Sequence, residues 1–340
     1  MRTQAIGFVI AALTATMASG QPSAPQSTVV HLANGETAEN LQLIAITIRV
    51  VGGIQQVSVD TAKAAVAVDG TADQVAFAQW LVDELHNPAG GPPPANSAAH
   101  GYVMPGSSDD VVRVLYVSHS ATMQNLQEIG TIVRLLSDVP RLVFYDPQRA
   151  LAARGTAAQI SAAEWLVKAL DQLTNAQTSA SAEPHEYRTP GTSDVLRVFH
   201  LTHSGTPQTL QEISVLIRTI ADIRRVIAYT AQPALAARGT DAQIALAEWL
   251  VNEMDRPANA QTSASPAPHE YRMPGTSDDV VRVFYVTHSE TPQDLQKVAG
   301  AVRSATNTRR VLTNSAQKAV LLRGTADQIA TAERVINEAR

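Results

Sequence analysis

The stretch ALAARGTDAQIALAEWLVNEMD, Ala234 to Asp255, decides the fold, because near-copies of it recur along the chain. The other copies begin at Ala64, Arg149 and Lys318. Their turn glycines are Gly70, Gly155, Gly239 and Gly324, which lie 85, 84 and 85 residues apart. A nearly fixed period of this length predicts a tandem array of one small structural unit, repeated four times.

Each copy predicts a strand followed by a helix. The apolar run from Ala234 to Ala237 is typical of a short strand, and Gly239 supplies the turn. Thr240 is then an N-cap, and Gln243 completes a capping box. The same pair recurs at Thr71/Gln74, Thr156/Gln159 and Thr325/Gln328. The helix that follows has a buried stripe at spacings of 3, 4 and 3, formed by Ile244, Ala247, Val251 and Met254.

A second pattern precedes each copy and is clearest from Val195 to Tyr229. It opens with β-branched and aromatic residues, which favour a strand. Thr206 then caps a helix that begins with Pro207, and Arg225 to Tyr229 returns to a strand pattern. One unit is therefore strand, helix, strand, strand, helix. The fold class predicted is α+β: four tandem βαββα two-layer domains, each with three strands and both helices on one face of the sheet.

The side chains on the open face of each sheet are candidates for contact with a partner. They include His31, Tyr116, His200 and Tyr285, which occupy one position of the first strand. We interpret this face as half-solvated, with a partner-docking face as the alternative. Trp80, Trp165 and Trp249 share one helix position and are interpreted as core or inter-helix packing, with contact to another subunit as the alternative. Arg154, Arg238 and Arg323 precede the turn glycine and are interpreted as strand-end charges on a solvated rim.

The repeats are joined by linkers whose first halves are rich in Pro, Ala, Ser, Gly and Thr, and we interpret these halves as flexible or semi-extended tethers. Each linker ends in the motif His-x-Tyr-x-x-Pro-Gly, explained either by duplication alone or by docking of the linker end on the next unit. The predicted boundaries are a signal peptide at 1–20, repeat domains at 28–86, 111–171, 195–255 and 280–340, and linkers at 87–110, 172–194 and 256–279.

The N-terminus and the composition point to an exported protein. Met1 to Gly20 has a basic start, an apolar core and small residues before the cleavage point, which predicts a secretory signal peptide; an uncleaved anchor is the alternative. The chain has no cysteine, so its folds must hold by packing alone, and an exported protein without cysteines fits a bacterial periplasm. A net charge of −5 and the lack of a basic run exclude a nucleic-acid-binding surface.

No residue cluster predicts a reaction. His119, His203 and His288 recur before the first helix, each followed by a serine. Metal-ligand spacing and a G-x-S-x-G elbow are both missing around them, so hydrogen bonding to backbone near a helix start is the favoured role. We therefore predict no catalytic residue, no metal site and no cofactor.

Together, the strand RVFHLTHSG, the helix TLQEISVLIRTI, the strand ALAARGT and the helix AQIALAEWLVNEMD resemble the N-terminal repeat domains of bacterial secretins. The Gly-Thr turn and the acidic end of the last helix are the most similar points. In that family such domains stack as periplasmic rings that lead to an outer-membrane pore. The resemblance implies a periplasmic protein that binds or scaffolds a secretion or pilus machine, without the pore domain. The topology is also similar to KH-type RNA-binding domains, but the GXXG loop and basic residues of that family are missing.

The function predicted is thus that of an exported, non-catalytic protein-protein binding or scaffolding module. Its expected partners are proteins of the cell envelope, including secretion or pilus components and a second copy of itself, with no nucleic acid and no stable membrane span. The alternatives are a self-associating or ligand-binding envelope protein unrelated to secretion and, less favoured, an enzyme that uses the repeated His/Ser pairs. The localisation predicted is periplasmic or secreted.

Overall fold

The computed structural model describes residues 26–31, 37–86, 101–119, 122–171, 186–257, 269–275, 278–286 and 291–339. The predicted signal peptide and the first halves of the three linkers lie outside the described residues. His288 and Ser289 also lie outside the described residues.

The described chain forms four repeats of the same element order. Repeat 1 contains β1 (Gln26–His31), α1 (Ala38–Gly52), β2 (Val57–Asp60), β3 (Ala65–Gly70) and α2 (Ala72–Leu85). Repeat 2 contains β4 (Gly101–Val103), β5 (Val111–Tyr116), α3 (Met123–Ser137), β6 (Arg141–Tyr145), β7 (Ala150–Gly155) and α4 (Ala157–Leu170). Repeat 3 contains β8 (Glu186–Arg188), β9 (Asp194–His200), α5 (Pro207–Ile220), β10 (Arg225–Tyr229), β11 (Ala234–Thr240) and α6 (Asp241–Met254). Repeat 4 contains β12 (His269–Arg272), β13 (Val280–Tyr285), α7 (Pro292–Thr306), β14 (Val311–Asn314), β15 (Ala319–Gly324) and α8 (Ala326–Glu338).

Each repeat has its own antiparallel sheet. The strand order is β1-β3-β2 in repeat 1, and β4-β5-β7-β6, β8-β9-β11-β10 and β12-β13-β15-β14 in the others. The fourth strand of repeats 2, 3 and 4 comes from the end of the preceding linker, which pairs with the opening strand. The three-stranded sheet predicted from the sequence therefore needs a correction for these repeats. The end of each linker is part of the next sheet rather than a tether.

The signals for the closing helices are confirmed in all four repeats. Thr71, Thr156, Thr240 and Thr325 each form a complete capping box with the glutamine three residues later. The predicted stripes of repeat 3 are buried, both Leu210, Ile213, Ile217 and Ile220 on α5 and Ile244, Ala247, Val251 and Met254 on α6. The two helices of a repeat cover one face of its sheet, so each repeat encloses a two-layer core. The predicted fold class, α+β with four tandem two-layer domains, is confirmed.

Candidate protein-binding surfaces

The open sheet face of each later repeat is buried against the helices of the repeat before it. The core of repeat 1 continues into the open face of repeat 2 through Val112, Val114, Tyr145, Ala150 and Ala152. The core of repeat 2 continues in the same way into Leu196, Val198, Tyr229, Ala234 and Ala236 of repeat 3. The core of repeat 3 continues into Val281, Val283, Ala319 and Leu321 of repeat 4. The half-solvated sheet expected for these repeats is therefore wrong, and the repeats form one stacked column.

Three arginines join the stacked repeats, and we call them the clasp arginines: Arg154, Arg238 and Arg323. In repeat 2, Arg154 Nη1 donates to the carbonyl oxygens of Val51 (2.9 Å) and Gly52 (3.0 Å), at the C-terminus of α1. Its Nε and Nη2 donate to the carboxylate of Asp110 at 2.8 and 2.5 Å. Asp110 thus orients the guanidinium, while the remaining nitrogen caps a helix of the preceding repeat.

The other two junctions repeat this arrangement. Arg238 is held by Asp194 (2.9 Å) and donates to the Leu136 carbonyl oxygen (2.9 Å) of α3. Arg323 is held by Asp279 (2.9 and 2.6 Å) and donates to the Ile220 carbonyl oxygen (2.5 Å) of α5. Each cation also lies at the negative end of a helix dipole. The solvated rim expected for these arginines is wrong, because their side chains are only 9 to 16% exposed.

Aspartates at the ends of α3 and α5 complete the junctions. Asp138 accepts from Arg225 and Arg238 of the next repeat, both at 2.6 Å. Asp222 accepts from Arg310 of the next repeat at 2.8 Å. Both aspartates have left-handed backbone conformations, with φ of 57° and 56°, which a residue with a Cβ adopts only at some cost. The ion pairs across the junction offset that cost.

Three carboxylates of these junctions, those of Asp110, Asp138 and Asp279, have lowered pKa values that favour the charged form. The hydrogen bond from Arg154 lowers the pKa of Asp110, and the one from Arg323 lowers the pKa of Asp279. Burial opposes the charge of Asp138, but Arg225 and Arg238 outweigh it, so its pKa also lies below the ordinary value. The junctions are therefore ionic at neutral pH.

Three tryptophans pack against the linker strand of the next repeat. The ring centroid of Trp80 lies 5.2 Å from that of Tyr102 in β4. Trp165 pairs with Tyr187 of β8 at 6.0 Å, and Trp249 with Tyr271 of β12 at 5.6 Å. These tyrosines belong to the His-x-Tyr-x-x-Pro-Gly motif, so that motif docks the linker end between two repeats.

Two candidate residues of the opening strands, Tyr116 and Tyr285, also lie at the junctions. Tyr116 donates its hydroxyl to the Glu84 carbonyl oxygen of α2 at 2.6 Å, and Tyr285 donates to Glu253 Oε2 of α6 at 2.9 Å. His200 occupies the same position in repeat 3 and is partly buried. His31 ends β1, where its backbone pairs with Ala65; its side chain lies outside the described residues.

Burial raises the pKa of the Tyr116 phenol to about 12. Burial and the Glu253 carboxylate raise the pKa of Tyr285 as well. Both phenols therefore remain protonated donors at physiological pH. Glu253 also accepts from Arg256 (2.6 Å) and lies 3.0 Å from His269 Nδ1, so the third junction contains a buried polar cluster.

Two of the repeated histidines, His119 and His203, hydrogen-bond to the ends of helices and stabilise the adjacent loops. His119 Nδ1 lies 2.9 Å from the Asp171 carbonyl oxygen, and His203 Nδ1 lies 3.1 Å from that of Asp255. The two aspartates end α4 and α6, and their carboxylates accept backbone N–H bonds from residues 118–119 and 202–204. This role agrees with the backbone hydrogen bonding expected from the sequence. Sequence reasoning missed the aspartates, although each ends its helix at the same position of the repeat.

A further set of arginines covers the free sheet edges, and we call them the edge arginines: Arg49, Arg134, Arg218 and Arg303. Each lies in the last turn of the first helix and donates to an outward carbonyl oxygen of the edge strand in its own repeat. The acceptors are Val57, Leu142, Val226 and Val311. Unpaired edges invite pairing with another chain, and a charge fixed over one carbonyl oxygen opposes pairing at that position of the edge. Their position eight residues before each acceptor is the signal that sequence analysis overlooked.

The two ends of the column differ from its junctions. In repeat 1, the clasp position holds Asp69, Val29 is 48% exposed, and Ser58 stands where repeats 2 to 4 have Val143, Ile227 and Leu312. In repeat 4, Ala301 and Ala305 are exposed, where α3 has buried Ile132 and Leu136. Polar or small outer faces are typical of capping repeats.

The column exposes apolar side chains on the outer face of its first helices. Ile46 and Val50 of α1 are each 42% exposed, Leu135 of α3 is 51% exposed and Val215 of α5 is 38% exposed. The equivalent positions of α7 hold Gly300 and Ser304. We call this surface the helix side. It holds four of the seven large hydrophobic side chains that are exposed among the described residues.

Among the described residues, no group of three or more His, Cys, Asp and Glu side chains is arranged to hold a metal ion. None of the described helices combines the length and the hydropathy needed to cross a membrane.

Solved structures of secretin N-terminal domains are similar to this chain. The crystal structure of the N-terminal domain of the secretin XcpQ from Pseudomonas aeruginosa is 17% identical with a TM-score of 0.23, covering 68% of this chain and 100% of that one. Aeromonas hydrophila ExeD is 16% identical with a TM-score of 0.17, covering 68% of this chain and 41% of that one. The type II secretion system secretin GspD of E. coli K12 is 14% identical with a TM-score of 0.17, covering 68% of this chain and 39% of that one.

This chain therefore spans less than half the length of ExeD and GspD. No family model and no curated protein matches the chain. The predicted similarity to secretin N-terminal domains is confirmed, and it concerns the fold.

Proposed function

We propose that this chain is a non-catalytic scaffold of the bacterial cell envelope that binds proteins of a secretion or pilus assembly. The observation that carries the proposal is the stacking of four repeats into one column. The polar side chains that recur, the clasp arginines and the loop aspartates among them, are engaged in joining or bracing repeats. The sides of such a column are the surfaces that other molecules can contact.

The N-terminal sequence pattern supports the same role. Met1 to Gly20 has the pattern of a signal peptide, and the chain contains no cysteine that an oxidising compartment would pair. Cleavage after Gly20 would leave a mature chain that begins at Gln21. N-terminal sequencing of the protein from the periplasmic fraction checks this part of the proposal. A mature chain that retains Arg2 contradicts cleavage.

The helix side is the surface we propose for the partner. A photo-crosslinking amino acid at Ile46, Leu135 or Val215 should capture envelope assembly proteins in living cells. Ser304, which has the position of Leu135 in α7, is the matched control because it lies on the same helix face with a polar side chain. Reproducible capture of one secretion or pilus protein at the three apolar positions, and not at Ser304, supports the scaffold. Capture of only a second copy of this chain, or equal capture at all positions, contradicts it.

A further inference from the structure

We propose that the groove between repeats 3 and 4 binds an extended, uncharged peptide segment of a partner protein by strand addition to β14. This inference rests on the proposed function, since it assigns one partner-binding site to the scaffold. The groove encloses about 310 Å³ and lies between α5 of repeat 3 and α7 of repeat 4, with β14 along its floor. This volume is at the lower end of the range for ligand sites.

The floor of the groove offers a free backbone pair. β14 is the edge strand of its sheet, and it pairs with β15 on the other side. Arg323 N donates to the Arg310 carbonyl oxygen, so the alternation of an antiparallel ladder turns the N–H and C=O groups of residues 311 and 313 outward. Arg303 occupies the Val311 carbonyl oxygen at 2.8 Å. The outward groups of Thr313 are therefore the ones that a peptide strand would meet.

The walls match a peptide in polarity. Gln208 and Gln211 extend from α5, and Gln296 from α7. A carboxamide both donates and accepts, as a peptide group does, so these side chains suit a main chain in extended form. Gln296 Nε2 already lies 2.6 Å from Thr313 Oγ1 and marks the edge at which the strand would bind. Val215 and Leu312 add apolar surface for alternate side chains.

The charged side chains of the groove favour an uncharged peptide segment. Glu212 accepts from the backbone N–H of Ser315 at 2.9 Å and from its hydroxyl. The guanidinium of Arg303 is directed at Val311. Glu212 and Arg303 have opposite signs, so the lining of the groove has no net charge that would attract a charged ligand, and a charged ligand would lose hydration on entering it. Small uncharged side chains therefore fit best.

Strand addition is tested with purified protein and the fluorescein-labelled peptide TSTQTST, measured by fluorescence anisotropy. Thr313→Pro removes the outward N–H without touching a bond to β15, a change that edge strands tolerate. Thr313→Val keeps the N–H and removes the hydroxyl. Ala228→Pro makes the same change at the equivalent position of β10 and is the matched control.

We expect Thr313→Pro to weaken binding at least about tenfold, with Thr313→Val and Ala228→Pro close to wild type. The same peptide with N-methyl groups at alternate residues should not bind. No binding of the unmodified peptide at about 1 mM overturns the proposal. So does equal binding by Thr313→Pro, or binding of a neutral oligosaccharide that Thr313→Pro leaves unchanged. If the peptide does not bind while the wild type still crosslinks to envelope proteins at Ile46 and Leu135, which lie outside the groove, the groove is wrong while the scaffold stands.

Discussion

At the residue scale, the clasp arginines contribute more to the free energy of unfolding than an exposed ion pair does. Arg238 has a side chain only 12% exposed and is bound on both sides of the junction. Its loss leaves Asp194 and the Leu136 carbonyl oxygen without their cationic donor. Hydrogen bonds to charged groups contribute about 1.5–3 kcal/mol, whereas exposed pairs contribute about 0–1 kcal/mol.

Arg238→Ala should therefore lower the free energy of unfolding by about 2–3 kcal/mol, measured by urea denaturation. Arg238→Lys should recover less than half of that loss, because an ammonium cannot bridge a carboxylate and a helix end together. Arg188→Ala is the control, since Arg188 is 64% exposed and pairs with Asp241 on the surface. A loss of more than about 1 kcal/mol in the control would mean that removing any arginine destabilises this protein.

Tyr116 gives the column a dependence on alkaline pH. Its folded pKa of about 12 lies above the ordinary value of 10.0. A group whose pKa is raised on folding stabilises the fold fully below its unfolded pKa, and this contribution is lost as the pH rises through the folded pKa. The loss should thus fall between about pH 10 and 12.

The phenolate absorbance of the wild type minus that of Tyr116→Phe should show one step near pH 12 as the pH is raised. Over the same alkaline range, the free energy of unfolding of Tyr116→Phe should fall less than that of the wild type. A step near the ordinary value of about 10 would show that the phenol is not buried against α2 in solution.

At the element scale, the helices and strands could be predicted but their docking could not. Thr240 with Gln243 is a local signal, complete within four residues, and it is confirmed in every repeat. Arg154 binds carbonyl groups 102 and 103 residues earlier, and no local pattern encodes such a contact. The replacement of arginine by Asp69 in repeat 1 was the available clue, since no helix end precedes repeat 1 among the described residues.

The sequence analysis did not predict the linker strands, for a related reason. Tyr187 belongs to a three-residue strand, shorter than any periodicity can reveal. Its position is fixed by Trp165 in the preceding repeat and by pairing with β9 in its own. The repeated motif was visible in the sequence, but its two partners lie in two different repeats.

Removing an edge arginine should allow the edge of its sheet to pair with another chain. Arg218→Ala would leave the outward Val226 carbonyl oxygen bare, and the β10 edge would become free to pair with another chain. We expect concentration-dependent self-association by analytical ultracentrifugation, which the wild type does not show to the same degree.

Adding Ala228→Pro to that variant should reverse the association, because it removes the next outward N–H of the same edge. Arg224→Ala, an exposed arginine just before β10, should have no effect. Association that persists in the proline variant would mean that the new contact is not strand pairing.

At the scale of the whole molecule, the column is a series of interchangeable junctions between two unlike ends. The groups that repeat 2 presents to repeat 3 are the Leu136 carbonyl oxygen, Asp138 and Glu128. Repeat 3 presents the Ile220 carbonyl oxygen, Asp222 and Glu212 to repeat 4 in the same roles. Repeat 4 should therefore dock on repeat 2 if repeat 3 is removed.

Deleting residues 172–255 removes one period of 84 residues and joins Asp171 to Arg256 in the register that Asp255 had. The shortened chain should fold, keep its solubility and scatter X-rays as a three-repeat column, because nearest neighbours set the stability of repeat arrays. Deleting residues 1–86 should have the opposite result, since it bares Val112, Val114 and Tyr145 to water. Equal solubility of the two deletions would show that the repeats fold as independent beads, and that the buried junctions do not hold the column together.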